Sequence, residues 1–214
     1  SRGLGDVYKR QVLEALEQGG MTFSSANSIN WGRLVPQIVY YVSSYVSLAE
    51  SGQIAYGDLL NVVVPTGNFG NILAAYYAKM MGVPLGKLIC ASNINKVLTD
   101  FIRTGVYNRN RQFYPTASPS MDILISSNLE RLLYLLTGED DAQIREWFTA
   151  LAEQGTYEVT DAVKAKLTEQ FYGGFCDDAE TKETIAELYK KYGYTCDTHT
   201  AVAVKVYELS LIHI

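Results

Sequence analysis

Residues 61–71 read N-V-V-V-P-T-G-N-F-G-N, and this stretch limits what the chain can fold into more than any other. Val62, Val63 and Val64 form a β-branched run without a polar break, which predicts a short strand buried on both faces. Pro65 closes it. Gly67, Asn68, Phe69, Gly70 and Asn71 predict a turn, and the pattern over 72–81 predicts a helix that stops before Gly82 and Pro84. Strand, glycine-rich turn and helix together form the arrangement with which α/β proteins cradle phosphate. The glycines let backbone N–H groups approach an anion, and the helix start adds unpaired donors and a positive dipole end. An ordinary βα turn also holds two glycines, so at this point both readings stand.

The rest of the chain extends the α/β pattern. A second buried strand is predicted over 87–91, around Leu88, Ile89 and Cys90. Residues 59–91 then form a βαβ unit, for which a right-handed crossover and a parallel strand pair are expected. Ser92, Asn93 and Asn95 follow at the carboxyl edge, where α/β proteins bind ligands. Upstream, a helical end is expected over 12–18 and a brief strand over 21–25. Leu34, Ile38, Tyr41, Val42 and Tyr45 predict a helix over 33–51. Further helices are expected over 95–103, 123–136 (capped by Ser120 or Asp122), 142–153, 160–170 and 181–192, with a last one running from His199 through Tyr207. A long loop is expected over 107–120. Phe171 to Phe175 predicts a short strand or turn, and 194–197 a strand edge.

Asn27, Ser28, Asn30 and Arg33 crowd the start of the 33–51 helix. A helix N-terminus with an arginine fork suits an anionic ligand, phosphate above all, and equally suits a plain cap beside a surface arginine. Asp177, Asp178 and Glu180 complement the dipole of the helix they precede rather than bind metal. His199 lies two residues after Asp197, and packing or support of a site is the expected duty of its imidazole.

Composition narrows the function classes. The chain has 214 residues, 48 % hydrophobic and 19 % charged, enough for a sizeable core. A net charge of −5 offers no basic surface for nucleic acid or anionic membrane. Cys90, Cys176 and Cys196 are odd in number and lack CxxC spacing, so a reducing, cytoplasmic setting without a metal cluster is expected. No apolar run is long enough to span a bilayer. The two ends are related: residues 6–11 can be encoded by GATGTGTATAAGAGACAG, whose reverse complement encodes residues 209–214. Residues 1–11 and 209–214 are therefore read as adapter-derived, and 12–208 as an interior piece of a longer protein.

The segments SSANSINWGRLVPQIVYY, VVVPTGNFGN, LICASN, VLTDFIRTGVYNRNR, SPSMDILISSNLERLL and CDTHTAV resemble the threonine synthase family, across nearly all of 12–208. These enzymes use pyridoxal 5'-phosphate to make threonine from O-phosphohomoserine. The resemblance implies an α/β, three-layer parallel-sheet fold of the tryptophan synthase β-like class (fold type II), incomplete here and mainly from the larger α/β domain. It implies that Gly67, Asn68, Phe69, Gly70 and Asn71 form the cofactor-phosphate cup. By the same resemblance Asn27, Ser28, Asn30 and Arg33 hold the substrate phosphate, with Asn27 and Arg33 foremost. Ser92, Asn93, His199 and Thr200 become nearby wall or supporting positions. Where relatives usually carry Asp-Pro-His-Thr, this chain has Asp197-Thr198-His199-Thr200, which loosens that turn and removes no obvious chemistry.

In the family the cofactor-bearing lysine sits in a Ser-x-Lys-Asp-type segment expected upstream of Ser24. Lys79, Lys87 and Lys96 do not match that motif, so no catalytic residue is assigned within the chain. The implied activity is that of a carbon–oxygen lyase acting on phosphates, for the intact protein, as a monomer or weak homodimer. Two alternatives remain: another eliminase or dehydratase of the same fold, and a non-catalytic phosphate-binding domain. The Asn27–Arg33 cluster argues against a dehydratase, which has no substrate phosphate to hold.

Overall fold

The computed structural model describes residues 16, 18–20 and 27–211. The strand expected over 21–25 and most of the helical end over 12–18 lie outside them. The order is α1 (Trp31–Glu50), β1 (Leu60–Pro65), α2 (Gly70–Met80), β2 (Leu85–Ser92), α3 (Val97–Thr104) and β3 (Val106–Asn108). A 3-10 turn (Pro119–Met121) precedes α4 (Leu129–Leu136), α5 (Asp141–Glu153), β4 (Thr156–Glu158), α6 (Asp161–Gln170), β5 (Phe171–Phe175), α7 (Asp178–Tyr192) and α8 (Thr198–Leu211). No helix among the described residues is long and apolar enough to cross a membrane.

The main sheet has the order β1-β2-β5. Both pairings are parallel, with Val64 opposite Cys90 and Cys90 opposite Gly173. Side chains alternate across it, as the strand period requires. Val64, Leu88, Cys90 and Phe171 join the larger core under α1 to α6, whereas Ile89 and Ala91 join a smaller core with Val202, Ala203 and Val206 of α8. That makes three layers: helices, sheet, helix. The close backing on β5 requires glycine, because a Cβ on Gly173 would lie 3.0 Å from Thr99 Cα and one on Gly174 2.6 Å from Val206 Cγ1.

Local chemistry explains the helix starts. Asn30 accepts from the Gly32 amide at 2.8 Å to cap α1, Thr160 caps α6, and Asp177 with Glu180 completes a capping box on α7. Three expectations need correction. The helix expected over 123–136 begins only at Leu129, and neither Ser120 nor Asp122 caps it. Residues 123–128 are held as a loop from outside: the Tyr107 hydroxyl donates to Leu124 O at 3.2 Å and accepts from Ser126 N at 2.9 Å. The strand edge expected over 194–197 is irregular, because both oxygens of Asp197 turn back to residues 199 and 200. Finally, the start of the expected long loop is a strand: β3 pairs antiparallel with β4, and the rings of Tyr107 and Tyr157 stack 5.4 Å apart between them.

Because the strands of the main sheet run parallel, Pro65, Ser92 and Phe175 end on one edge. The glycine turn, Asn93 and Asn95, and the start of α7 all issue from that edge.

Candidate functional site

The turn after β1 is held by its carbonyls. Gly67 O accepts from Ser126 Oγ at 2.8 Å, and Phe69 O accepts the Leu73 amide at 3.0 Å. One amide is engaged, Phe69 N donating to Ser127 O at 2.8 Å. The amides of Gly67, Asn68, Gly70 and Asn71 have no partner among the described residues. Gly70 and Asn71 open α2, where helix geometry leaves N–H groups unpaired. Side-chain space is closed on the other side: a Cβ on Gly67 would lie 2.3 Å from Ser120 O. A donor-rich turn at a positive helix end, pressed against backbone, fits a phosphate monoester such as that of pyridoxal phosphate.

The side chains of this turn are less available than its amides. Phe69 is fully buried and packs on Phe171, ring centroids 5.6 Å apart. Asn71 is tied to α1, accepting from Tyr41 OH at 2.7 Å and donating to Gln37 Oε1 at 2.8 Å. Burial pushes the Tyr41 hydroxyl above its ordinary pKa, so it remains a neutral donor. Asn68 reaches sideways, its Nδ2 donating to Ser28 Oγ at 3.2 Å.

That last bond joins the glycine turn to the polar cluster before α1. Ser28 Oγ in turn donates to Asn27 Oδ1 at 3.1 Å. Asn30 N donates to Asn27 O and Arg33 N to Asn30 O, both at 2.9 Å, which winds 27–33 into two successive turns. Asn30 therefore serves as the helix cap through its oxygen, and Arg33 stands exposed on the first turn of α1.

A third loop, absent from the sequence reading, closes the arrangement. Ser127 N donates to Asn68 Oδ1 at 3.3 Å, and Asn128 Nδ2 donates to Ser28 O at 3.3 Å. Arg131 donates through Nη2 to Ile29 O at 2.7 Å and through Nη1 to Asn128 Oδ1. The signal was present as Ser126-Ser127-Asn128 directly before the apolar run of α4, a polar helix-start signature.

The expected supporting residues divide. His199 reaches the turn through one intermediary: its Nε2 accepts the Ser120 amide at 3.3 Å, and Ser120 O is the atom that abuts Gly67. An accepting Nε2 puts the imidazole proton on Nδ1, which faces Asp197 Oδ1 at 3.3 Å. Asp197 also takes the Thr200 hydroxyl at 2.6 Å, and these bonds hold its carboxyl down to about 2. Thr200 thus serves the cap of α8. Asn93, fully interior, donates to Asp122 Oδ1 at 2.7 Å and to Thr116 Oγ1 at 2.9 Å, while Asn95 Nδ2 adds a 3.0 Å bond to the same Asp122 oxygen. This network fixes the 116–122 loop that carries Ser120. Ser92 lies in the core, accepting from Thr99 Oγ1 at 3.1 Å, and makes no hydrogen bond to the glycine turn among the described residues.

The lysines nearest the sheet are engaged elsewhere. Lys79 donates to Gly86 O at 2.6 Å, Lys87 to Thr168 O at 2.9 Å, and Lys96 lies 3.9 Å from the Phe175 ring centre. Among the described residues there is no His/Cys/Asp/Glu group able to hold a metal ion, and all three cysteines are buried and free.

No protein-family model matches the chain. It is 51 % identical over 185 residues to threonine synthase-like 1 of Homo sapiens, covering 86 % of this chain and 25 % of that protein. It is 40 % identical over 205 residues to threonine synthase of Methylobacillus glycogenes, covering 94 % of this chain and 42 % of that protein. The crystal structure of PLP-bound threonine synthase from Brucella melitensis matches with a TM-score of 0.82 at 40 % identity, over 86 % of this chain and 39 % of that one. The chain thus spans from 25 % to 42 % of the length of these relatives. In fold it is a three-layer, parallel-sheet α/β unit of the tryptophan synthase β-like class, fold type II of the PLP enzymes, and in sequence it is similar to threonine synthases.

Proposed function

We propose that these residues supply the phosphate-handling part of a threonine synthase, which converts O-phosphohomoserine and water to threonine and phosphate. The observation that carries this reading is the direct bond between Asn68 of the glycine turn and Ser28 of the polar turn, which sets two anion-suited loops side by side. The similarity to threonine synthases supports the same assignment.

Bound pyridoxal phosphate would supply an electron sink for proton removal at the amine-bearing carbon and then at its neighbour. The chain's own residues do the holding. The amides of Gly67, Asn68, Gly70 and Asn71 take the cofactor phosphate at the positive end of α2. Asn27, Ser28 and Arg33 take the substrate phosphate, with the Arg33 guanidinium offering two parallel donors. Asn30 keeps that turn wound. His199, through Ser120, keeps the glycine turn pressed in place.

The test uses a full-length protein carrying these residues, incubated with pyridoxal phosphate and O-phosphohomoserine, with phosphate and threonine followed together. Equal release of both is expected. Arg33→Ala should lower kcat/KM by roughly tenfold to a hundredfold, chiefly through KM, the cost of a lost charge-assisted contact. Phosphate without threonine would make the protein an eliminase instead, and neither product would remove the substrate assignment.

A further inference from the structure

Asn128 has a backbone that its position does not explain. It is fully buried and left-handed, with φ 73° and ψ −9°, yet its side chain does not cap the helix that begins one residue later. Glycine adopts this conformation freely, so what asparagine adds here is its amide group. That amide bonds one anion-suited loop and closes the space against the other. Its nitrogen donates to Ser28 O at 3.3 Å and lies 3.3 Å from where a Cβ on Gly70 would stand. Its oxygen accepts from Arg131, whose second nitrogen binds Ile29 O at 2.7 Å. The preceding residue completes the clasp, Ser127 O taking the Phe69 amide at 2.8 Å and Ser127 N giving to Asn68 Oδ1 at 3.3 Å.

We propose that Asn128, braced by Arg131, is a positioning residue that couples the two loops, so that the turn carrying Arg33 is set against the turn carrying Gly70 and an anion on one favours an anion on the other. The proposal rests on the phosphate reading of the two loops given above. Its physical basis is that one planar amide is shared. The nitrogen that bonds Ser28 O also fills the space a side chain at position 70 would need, so turning the amide away from Ser28 also opens the space against Gly70. Arg131 fixes the oxygen end and removes the remaining freedom. Ordering by a first anion is then already complete when the second arrives, which is the thermodynamic content of coupling.

The test uses the 15N-labelled chain with two variants. Asn128→Gly keeps the left-handed backbone and deletes only the amide. Arg131→Ala leaves Asn128 in place and releases Ile29. Circular dichroism and a cooperative thermal transition establish that each variant folds. Without any anion, amide hydrogen exchange at Asn30 and Arg33 should quicken about tenfold in both variants, with no further gain in the double variant. With inorganic phosphate as the probe, the Arg33 amide response should need about tenfold more phosphate in Asn128→Gly, within the usual range of coupling factors. Because coupling is reciprocal, the Gly70 and Asn71 responses should shift in the same direction, and amides outside the two loops should not shift. Unchanged exchange at Asn30 and Arg33 in both variants would overturn the clasp. So would a uniform weakening across all amides, which is what general destabilisation produces. If the unsubstituted chain shows no phosphate response at either loop, the phosphate reading fails, and the exchange experiment still decides the clasp on its own.

Discussion

Gly67 is the position where a single methyl group most directly tests the site. A Cβ there would lie 2.3 Å from Ser120 O and 3.2 Å from Met121 Cα, and both are backbone atoms. The Ser120 segment cannot swing away easily. Ser120 N is held by His199 Nε2 at 3.3 Å, Met121 N by Ser118 O at 3.0 Å, and Met121 itself is buried in the smaller core. Asp122, next along, takes bonds from Asn93, Asn95 and Thr116. Gly67→Ala should therefore carry an overpacking cost of about 2 kcal/mol. In a chain of 214 residues that lowers the thermal midpoint by about 4–8 °C. Differential scanning calorimetry on the two proteins reads the shift. His199→Ala offers the control that separates this mechanism from a general loss. Freed from His199, Ser120 can retreat, so Gly67→Ala should cost about 1 kcal/mol less in that background. An unchanged midpoint in Gly67→Ala, or strict additivity in the double variant, would refute the idea that Ser120 is wedged between the imidazole and the glycine turn.

Three further outcomes follow from polar groups of the fold. Tyr107→Phe removes a hydroxyl that serves Leu124 O and Ser126 N and leaves a buried amide unpaired, so urea unfolding should show a loss of about 1–3 kcal/mol. Tyr157→Phe is the contrast: its hydroxyl is buried with no partner among the described residues, and its removal should leave stability unchanged or raised. Asp197 predicts a pH dependence. Its carboxyl is held down to about 2, by the Thr200 hydroxyl first and then by the amides of Thr200 and His199, against an ordinary 3.8. A depressed folded pKa contributes stability that is present above 3.8 and lost as the pH falls toward about 2. Urea midpoints of the unsubstituted chain and Asp197→Asn should differ above that window and converge at its acid end, whereas a constant gap would show that the carboxylate charge plays no part.

The sequence reveals the elements whose causes are local. Val62 to Val64, the two glycines after Pro65 and the apolar period that follows specify β1, the turn and α2 within one stretch, and the caps at Thr160 and Asp177 are equally local. Residues 123–128 defeat such reading because Ile123, Leu124 and Ile125 continue the apolar pattern of α4. What keeps them from coiling is Tyr107, far back in the chain, together with the bond from Ser126 to Gly67. At Tyr194 to Asp197 the composition suits a strand, yet the Asp197 oxygens bind amides just ahead and form a cap instead. The candidate site follows the same division. Asn27 to Arg33 and Gly67 to Asn71 are each recognisable as donor-rich, but that Asn68 would meet Ser28 is decided by tertiary packing alone.

The site's chemistry comes from an unequal use of backbone groups. In the glycine turn the carbonyls are bonded inward, Gly67 O to Ser126 and Phe69 O to Leu73, and among the described residues the one turn amide so engaged is that of Phe69, by Ser127. A turn stabilised by its acceptors keeps its donors in place without consuming them, so order and binding capacity do not compete. Phe69 marks the limit of the arrangement. Its ring anchors the turn in the core against Phe171, and its amide holds the clasp, so it contributes rigidity where its neighbours contribute donors. Among the described residues this leaves four turn amides without a partner rather than five, with the engaged one joining the turn to the loop that also reaches Ser28. A rigid donor array at the carboxyl edge of a parallel sheet loses little on binding an anion, because its orientation is set before the anion arrives.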